Sequence, residues 1–313
     1  MEYRQLGRTG LRVSPICLGC MTFGREIDEA ASSEIIGRAM EAGVNFFDTA
    51  NIYAQGRSEE ILGRALKYVR DRAVIASKVG NKSGDGPNDR GASRVAIMAG
   101  VDGSLRRLGT DYIDLYQIHS FDPDTPLEET LEALDDVVRA GKVRYVGCSN
   151  FAAWQVVKSL WISDRERLTR FVSVQPRYNL VFRDPESELL PMCLSEGLAV
   201  LPFSPLGGGF LTGKYQPGAT VPAGTRMAFN PNYQNTYIND RNFRIVDALA
   251  AYAASRGLPR EQVALAWVIS HPAITAPIVG ARSTAHIDTA LAALALAMTP
   301  AERGELTQLA DAA

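Results

Sequence analysis

Four side chains in the first half of the chain could together move a proton: Asp48, Tyr53, Lys78 and His119. A phenol is a weak acid at neutral pH, since its ordinary pKa is about 10. A neighbouring Lys78 ammonium would stabilise the phenolate and lower that pKa, and Asp48 would keep the ammonium charged and oriented. His119 would share a hydrogen bond with the substrate oxygen. The set could therefore protonate an oxygen on which negative charge develops, as happens when a carbonyl carbon accepts a hydride.

Apolar segments precede these polar residues and indicate buried strands. Asp48 follows residues 44–47, Lys78 follows 74–77, His119 follows 112–118, and Ser149 with Asn150 follows 143–148. The intervals from Asp48 to Lys78, from Lys78 to His119 and from His119 to Ser149 are 30, 41 and 30 residues. Each is about the length of a strand, a loop and a crossover helix. In a parallel barrel all strands end on one face, so we expect these side chains to converge there.

The alternation of strands and helices predicts an α/β fold, a (β/α)8 TIM barrel with a short N-terminal β-hairpin, as one domain over residues 1–313. The predicted hairpin spans residues 2–15, around a turn at 7–10. The predicted strands are 15–19, 44–47, 74–77, 112–118, 143–148, 171–175, 199–203 and 276–279. The predicted helices are 28–42, one capped by Ser58, 94–108, 125–140 with Pro126 at a position that helices tolerate, 151–161, 186–196, 241–255, 259–270, and two that begin near Ser283 and Ala301. Residues 215–239 read as a long irregular stretch.

A doubly wound sheet is the main alternative fold. To bind a dinucleotide it would need a Gly-x-Gly-x-x-Gly turn after its first strand. The sequence contains no such match, and the nearest segment, Gly207-Gly208-Gly209, lacks the third glycine.

Composition narrows the class of protein. The chain is 46% hydrophobic and 22% charged, with a net charge of −2, so we expect neither nucleic acid nor an anionic membrane as a partner. We find no signal peptide and no apolar run that could span a bilayer, and we expect a cytoplasmic protein. Cys17 and Cys20 form a C-x-x-C pair that could bind zinc or undergo redox chemistry. With no second such pair and only three histidines, we favour two small residues of a buried strand and expect no metal site.

Seven segments in order resemble the aldo-keto reductase family over nearly the full chain. They are Asp48-Thr49-Ala50-Asn51-Ile52-Tyr53, Ser77-Lys78, Gln117-Ile118-His119, Gly147-Cys148-Ser149-Asn150-Phe151, Gln175-Pro176-Arg177-Tyr178-Asn179, Ser204-Pro205-Leu206 with Leu211-Thr212-Gly213-Lys214, and Gly280-Ala281-Arg282. Each segment lies at a predicted strand end.

The resemblance implies NAD(P)H as the hydride donor and a small carbonyl compound as the substrate. It makes Tyr53 the general acid, supported by Lys78, Asp48 and His119. The implied cofactor-binding residues are Thr22, Asp48, Ser149, Asn150, Gln175, Phe203, Ser204, Leu206, Gly208, Lys214, Gly280, Arg282, Ser283 and His286. Phe203 stands where many members have a tyrosine that stacks on the nicotinamide. Arg282 and Ser283 suit a 2′-phosphate, so the resemblance implies NADPH in preference to NADH.

Two other functions remain open at the level of sequence. The same scaffold serves as a nucleotide-sensing regulatory subunit in potassium-channel β-subunits of this family. A barrel isomerase or lyase without a nucleotide is the third reading. Met21, Phe23, Phe121 and Trp154 are candidates for the substrate pocket, and packing in the core or at the rim is the alternative for each.

Overall fold

A computed structural model describes residues 1–313 and contains the predicted hairpin and eight parallel strands. The hairpin pairs β1 (Arg4–Gln5) with β2 (Arg12–Val13) in antiparallel fashion. The parallel strands are β3 (Cys17–Gly19), β4 (Phe46–Asp48), β5 (Val74–Val79), β6 (Ile113–Ile118), β7 (Val143–Ser149), β8 (Phe171–Gln175), β9 (Ala199–Val200) and β10 (Ile278–Gly280).

Helices follow the strands in alternation. They are α1 (Glu29–Glu41), α2 (Arg57–Leu66), α3 (Arg94–Leu108), α4 (Leu127–Arg139), α5 (Ala153–Glu166), α6 (Leu189–Glu196), α7 (Arg226–Phe229), α8 (Asn232–Tyr237), α9 (Asp240–Ala254), α10 (Arg260–Ile269), α11 (Thr284–Ala295) and α12 (Pro300–Ala312). Asp28 caps α1 as predicted, because its carboxylate accepts a hydrogen bond from the Ala31 N–H at 2.9 Å. No helix combines the length and the apolar character needed to cross a membrane.

The strand order is β10-β3-β4-β5-β6-β7-β8-β9, with every neighbouring pair parallel. The two ends of this sheet meet, since Val200 forms a parallel bridge with Ile274 and the Ile278 N–H donates to the Pro202 carbonyl at 2.8 Å. These contacts close the (β/α)8 barrel that the alternating pattern predicts.

Two apolar clusters hold the barrel together. A set of 70 buried residues fills the layer between the strands and the surrounding helices. A smaller set of 11 residues fills the barrel interior and includes Leu6 and Val13 of the hairpin. The hairpin therefore packs on the barrel end where the strands begin, opposite to the strand ends that carry the polar residues.

One predicted helix cap is wrong. Ser58 does not cap α2, because its hydroxyl donates to the Cys20 carbonyl at 2.7 Å and contacts the Thr49 hydroxyl at 2.8 Å; Gly56, at φ +92°, precedes the helix instead. The helix predicted to open at Thr125-Pro126 is α4, and Pro126 is the residue directly before its first residue, Leu127.

The predicted helix at 186–196 begins only at Leu189. Pro191 explains the late start, because a proline ring clashes with the carbonyl four residues earlier and so excludes Ser187 from the helix.

The irregular stretch and the seventh barrel strand also differ in detail. Residues 215–239 contain α7 and α8, so part of the stretch is helical. β9 ends at Val200, short of the predicted residue 203, although the N–H groups of Leu201 and Phe203 still donate to the Val174 and Pro176 carbonyls. Pro202 has no N–H to donate to a ladder, which limits the strand.

Candidate active site

The strand ends bring the predicted catalytic residues to one mouth of the barrel. Asp48 is the last residue of β4, Lys78 is the penultimate residue of β5, and His119 follows β6 directly. Their strands are neighbours in register, with Asp48 opposite Ala76 and Lys78 opposite Gln117. This places side chains from distant parts of the sequence side by side.

Lys78 is the centre of a buried polar series. Its ammonium donates to the Asp48 carboxylate at 2.5 Å, to the Thr49 carbonyl at 2.8 Å and to the Tyr53 hydroxyl at 3.2 Å. Lys78 is 0% exposed and Asp48 is 3% exposed. Burial alone would lower the pKa of Lys78, but the Asp48 carboxylate and the Tyr53 hydroxyl more than offset this and raise it. The ammonium therefore stays charged.

Tyr53 differs from expectation in its acidity. Burial raises the pKa of the Tyr53 phenol, and the Lys78 ammonium offsets this only in part. The prediction that Lys78 lowers the pKa below its ordinary value is therefore wrong for the net shift, although the contribution of Lys78 has the predicted sign. The low polarity around a buried phenol penalises the phenolate more than one ammonium stabilises it. The phenol holds its proton and is able to donate it.

His119 is uncharged in this site. Burial, followed by the Lys78 ammonium, lowers the pKa of His119 to about 3. Its Nδ1 is buried without a hydrogen-bond partner. The ring lies edge-on to the Tyr53 ring, with centroids 5.8 Å apart and an interplanar angle of 81°. The imidazole thus faces the phenol and retains an unused ring nitrogen.

The backbone around the site adopts rare conformations. Ala54, Gln55, Asn150 and Ser204 have φ values of +49°, +55°, +56° and +54°. Such conformations strain residues other than glycine and concentrate at functional sites. Ala54 and Gln55 follow Tyr53 directly, so the strain lies where the chain turns the phenol towards Lys78.

These residues open into a cleft of about 760 Å³ at the strand ends. The predicted residues that line it are Thr22, Asp48, Tyr53, His119, Ser149, Asn150, Gln175, Phe203, Ser204, Leu206, Gly208, Lys214, Gly280, Arg282 and His286. Lys78 lies behind Tyr53 and Asp48 without exposed surface. Ser283 does not line the cleft, but its hydroxyl contacts His286 Nδ1 at 2.9 Å.

One part of the cleft offers amide and hydroxyl groups. The Gln175 amide donates to Asp48 at 2.9 Å, the Asn150 amide donates to the His119 carbonyl at 2.8 Å, and the Ser149 hydroxyl donates to the Gln175 carbonyl at 2.8 Å. The side-chain oxygens of Gln175 and Asn150 accept no hydrogen bond from the protein. These oxygens can accept bonds from a carboxamide.

Another part of the cleft is basic. Lys214 and Arg282 both line it, and burial, followed by the charge of the Arg282 guanidinium, lowers the pKa of Lys214. Arg282 donates to the Gly224 carbonyl at 2.5 Å. Gly209 has a φ of +88°, which favours glycine, and a Cβ there would lie 2.6 Å from the Lys214 ammonium, so the lysine would have to shift. Paired cations beside a glycine-rich turn suit a phosphate group.

Sequence reasoning missed a group that spans the cleft. Arg226 of α7 forms a 3.1 Å ion pair with Glu26, contacts the Met21 sulfur at 3.1 Å and lies over the Tyr233 ring at 5.1 Å. Arg177 also lines the cleft. No local sequence pattern predicts the ion pair between Arg226 and Glu26, because the two residues are 200 positions apart in the chain.

The four candidates for the substrate pocket lie in different environments. Met21 lines the cleft, whereas Phe23 is fully buried in the core. Phe121 packs against Phe151 and Trp154, with centroids 5.3 and 6.1 Å away, and Trp154 is 60% exposed. Phe121 and Trp154 therefore belong to an aromatic cluster outside the cleft.

The two cysteines of the C-x-x-C pair are buried free thiols. Cys17 belongs to the barrel interior and Cys20 to the outer apolar layer. Successive residues of an extended segment alternate faces, so a spacing of three puts the two thiols on opposite sides. No group of three or more His, Cys, Asp or Glu side chains is arranged to hold a metal ion.

Comparison with known proteins gives consistent matches along the chain. A sequence model described as the aldo/keto reductase family matches residues 15–311. An uncharacterized oxidoreductase of Bacillus subtilis is 40% identical over 309 residues, which cover 95% of this chain and 92% of the relative. A probable voltage-gated potassium channel subunit beta of Oryza sativa is 40% identical and covers 90% of this chain and 87% of its own length. Versiconal hemiacetal acetate reductase of Aspergillus parasiticus is 37% identical, with coverage of 96% and 95%.

Proposed function

Because this chain belongs to the aldo/keto reductase family, we propose that it is an NAD(P)H-dependent oxidoreductase that reduces the carbonyl group of an aldehyde or ketone to an alcohol. The observation that carries the proposal is the buried series Asp48–Lys78–Tyr53, which ends in a phenol facing a cleft of about 760 Å³. Such a series supplies a proton to an oxygen as negative charge develops on it.

Each residue of the series has a distinct task in the proposed reaction. Tyr53 donates its proton to the carbonyl oxygen, and the Lys78 ammonium, 3.2 Å from the phenol oxygen, stabilises the phenolate that remains. Asp48 holds the ammonium in place, and uncharged His119 donates a ring N–H to the same carbonyl oxygen. The dinucleotide, when bound, supplies the hydride that adds to the carbonyl carbon.

The cleft has donors and acceptors that fit a dinucleotide. Free amide oxygens of Asn150 and Gln175 suit its carboxamide, and the cations Lys214 and Arg282, which line the same cleft, suit its phosphates. The residues that would hold it are Thr22, Asp48, Ser149, Asn150, Gln175, Phe203, Ser204, Leu206, Gly208, Lys214, Gly280, Arg282 and His286, with Ser283 orienting His286. Two neighbouring cations favour the extra phosphate of NADPH, so we expect a lower Kd for NADPH than for NADH.

The variant Tyr53→Phe tests the role of the phenol. It removes one oxygen and keeps the ring, so we expect carbonyl reduction to fall by about 100-fold to 10,000-fold, the usual contribution of a general acid. The Kd for NADPH, measured by quenching of tryptophan fluorescence, should stay within about twofold because ground-state binding does not need the proton.

Tyr68→Phe is the matched control for this substitution, because Tyr68 is 89% exposed on the outer surface. It should leave both measurements unchanged. Turnover by Tyr53→Phe at the rate of the unchanged protein would remove Tyr53 from the mechanism.

A second candidate function is a nucleotide-sensing regulatory subunit with little turnover. The observation that favours it is the 40% identity to the plant protein described as a probable potassium channel subunit beta. Consumption of NADPH and NADH over a panel of aldehydes, ketones and quinones separates the two functions. Tight NADPH binding without turnover on any member of the panel would favour the regulatory subunit.

A further inference from the structure

Arg177 brings an uncompensated positive charge to the cleft. It lines the cleft but forms no salt bridge, and its Nε is buried without a hydrogen-bond partner. Its one polar side-chain contact is at the limit of a hydrogen bond, 3.5 Å from Nη1 to the Thr236 hydroxyl. The guanidinium therefore has most of its donors free.

The neighbours of Arg177 hold it in position without neutralising it. Its guanidinium carbon lies 5.0 Å from the centre of the Phe182 ring and 5.8 Å from that of Phe203. Its backbone forms a parallel bridge with Phe203, just beyond the ends of β8 and β9. Aromatic faces attract a cation but offer no acceptor for its N–H groups.

Removing a charged group from water is costly unless an opposite charge or hydrogen bonds compensate for it. The other charged groups of the cleft near its centre are already paired, Asp48 with Lys78 and Glu26 with Arg226. Arg177 is partly buried and receives no opposite charge from the protein, so an anionic ligand could supply one. The planar fork of a guanidinium suits a carboxylate, which accepts two parallel hydrogen bonds.

The position of Arg177 separates it from the cations that suit the dinucleotide phosphates. Lys214 and Arg282 line the cleft after the glycine-rich turn and after β10, respectively. Arg177 lies beside Phe203, the ring expected to stack on the nicotinamide, and it lines the same cleft as Tyr53 and His119. We propose that Arg177 selects carbonyl substrates that also carry a carboxylate group, an inference that rests on the proposed reductase function.

The kinetic test compares 3- and 4-formylbenzoate with their uncharged methyl esters. The unchanged protein should reduce at least one formylbenzoate with a kcat/KM about tenfold to a hundredfold above that of its ester, the range for a charge-assisted pair. Arg177→Met keeps an unbranched apolar stem between the two rings and removes the charge. It should abolish this preference while changing kcat/KM for the esters by less than about twofold.

Two controls accompany Arg177→Met. Arg177→Lys keeps the charge without the fork and should retain part of the preference. Arg72→Met removes an exposed arginine far from the cleft and should retain all of it. Thermal unfolding of each variant verifies that it folds.

Binding provides a readout that does not need turnover. Isothermal titration of benzoate into the protein saturated with NADP should show binding that Arg177→Met weakens by about tenfold or more. The Kd for NADPH should be the same in both proteins.

Several results would overturn the assignment of Arg177. They are equal kcat/KM values for acid and ester in the unchanged protein, a preference that survives in Arg177→Met, and a loss of NADPH affinity in that variant. Reduction of the esters together with any of these results would leave the reductase function standing. Failure to reduce any of the four aldehydes, with benzoate binding intact, would instead count against the reductase function.

Discussion

At the scale of single residues, Lys78 has no exposed surface, and its ammonium contacts oxygens of Asp48, Thr49 and Tyr53. The contact with Asp48 has a structural consequence as well as a chemical one. Two charges buried together compensate for the loss of water, whereas either one alone does not. The effect of the Asp48–Lys78 ion pair on stability can therefore be separated from its effect on catalysis by substituting one or both residues.

We expect Lys78→Met to lower the free energy of unfolding by about 3–5 kcal/mol, because it leaves the Asp48 carboxylate buried and unpaired. The double variant Asp48→Asn, Lys78→Met removes both charges and should recover part of that loss. Neither variant should regain carbonyl reduction, since Tyr53 lacks its ammonium in both. Urea denaturation gives the stabilities and a steady-state assay gives the activities. A double variant that regains activity would show that Lys78 serves the fold alone.

His119 leads to a prediction about pH. Its pKa is lowered from 6.5 in the unfolded chain to about 3 in the folded protein. Between these values the unfolded chain binds a proton at His119 that the folded protein does not bind. The contribution of uncharged His119 to the free energy of unfolding is thus fully present above pH 6.5 and is lost as the pH falls towards 3. The slope is at most about 1.4 kcal/mol per pH unit.

Acid titration of stability checks this prediction. His119→Asn should flatten the decline in the free energy of unfolding between pH 6.5 and 3, measured in urea at each pH. His271 is the control, because burial lowers its pKa to about 4 far from Tyr53, and His271→Asn should flatten the decline without affecting catalysis. In the unchanged protein, kcat/KM for carbonyl reduction should show no ionisation near the ordinary histidine pKa of about 6.5. Such an ionisation would contradict an uncharged His119.

At the scale of elements, α2 and α3 support the segment that carries Tyr53. Glu59 of α2 is 0% exposed and accepts hydrogen bonds from the Ser77 hydroxyl at 2.5 Å and from Arg107 Nε at 2.7 Å. Ser77 precedes Lys78 in β5, and Arg107 belongs to α3. One buried carboxylate thus joins the helix after Tyr53 to the strand that carries Lys78.

The close packing of α2 on α3 depends on Gly63. A Cβ at this position would lie 2.1 Å from the Leu108 carbonyl oxygen, which is backbone and cannot move freely. We expect Gly63→Ala to lower the free energy of unfolding by about 1–3 kcal/mol, the usual cost of overpacking. Because the helices must move apart, kcat should fall as well.

Gly37→Ala is the matched control, since Gly37 also lies inside a helix, α1, but has no atom within 4 Å of its Cβ position. Alanine favours the helix over glycine, so this variant should gain about 0.5–1 kcal/mol. Denaturation by urea measures both variants. Equal effects at the two positions would show that the contact with Leu108 has no energetic role.

At the scale of the whole molecule, the N-terminal hairpin closes the barrel end opposite to the cleft. Leu6 is 0% exposed and belongs to the interior cluster. Leu6→Ala should lower the free energy of unfolding by about 2–5 kcal/mol through the cavity that it leaves. The Kd for NADPH and kcat/KM should not change, because the cleft lies at the other end. Leu309→Ala, at a leucine that is 41% exposed, is the control and should cost far less.

We propose that residues 1–313 form a single domain. The eight-stranded sheet and the larger apolar cluster extend along most of the chain, and β10 near the C-terminus pairs with β3 near the N-terminus. Differential scanning calorimetry should show one cooperative transition for a single domain. Two resolved transitions would contradict the proposal.

The sequence by itself determined the strand-helix alternation and the strand-end positions of Asp48, Lys78 and His119. These features can be read from short segments. A strand that is buried on both faces of the sheet needs a continuous run of apolar residues, and the polar residues that follow the run mark where the strand ends. The predicted cap of α2 failed because the Ser58 side chain had distant partners, the Cys20 carbonyl and the Thr49 hydroxyl.

Only the tertiary structure decided the electrostatics of the cleft. The raised pKa of Tyr53, the neutral state of His119, the Glu26–Arg226 pair and the lack of a counter-charge at Arg177 all depend on which groups exclude water from one another. Loss of water and Coulomb attraction follow distance in space, and the chain brings these groups together from segments up to 200 residues apart. The sequence gives the type of each side chain, whereas the surroundings that the closed barrel creates determine whether that side chain is charged.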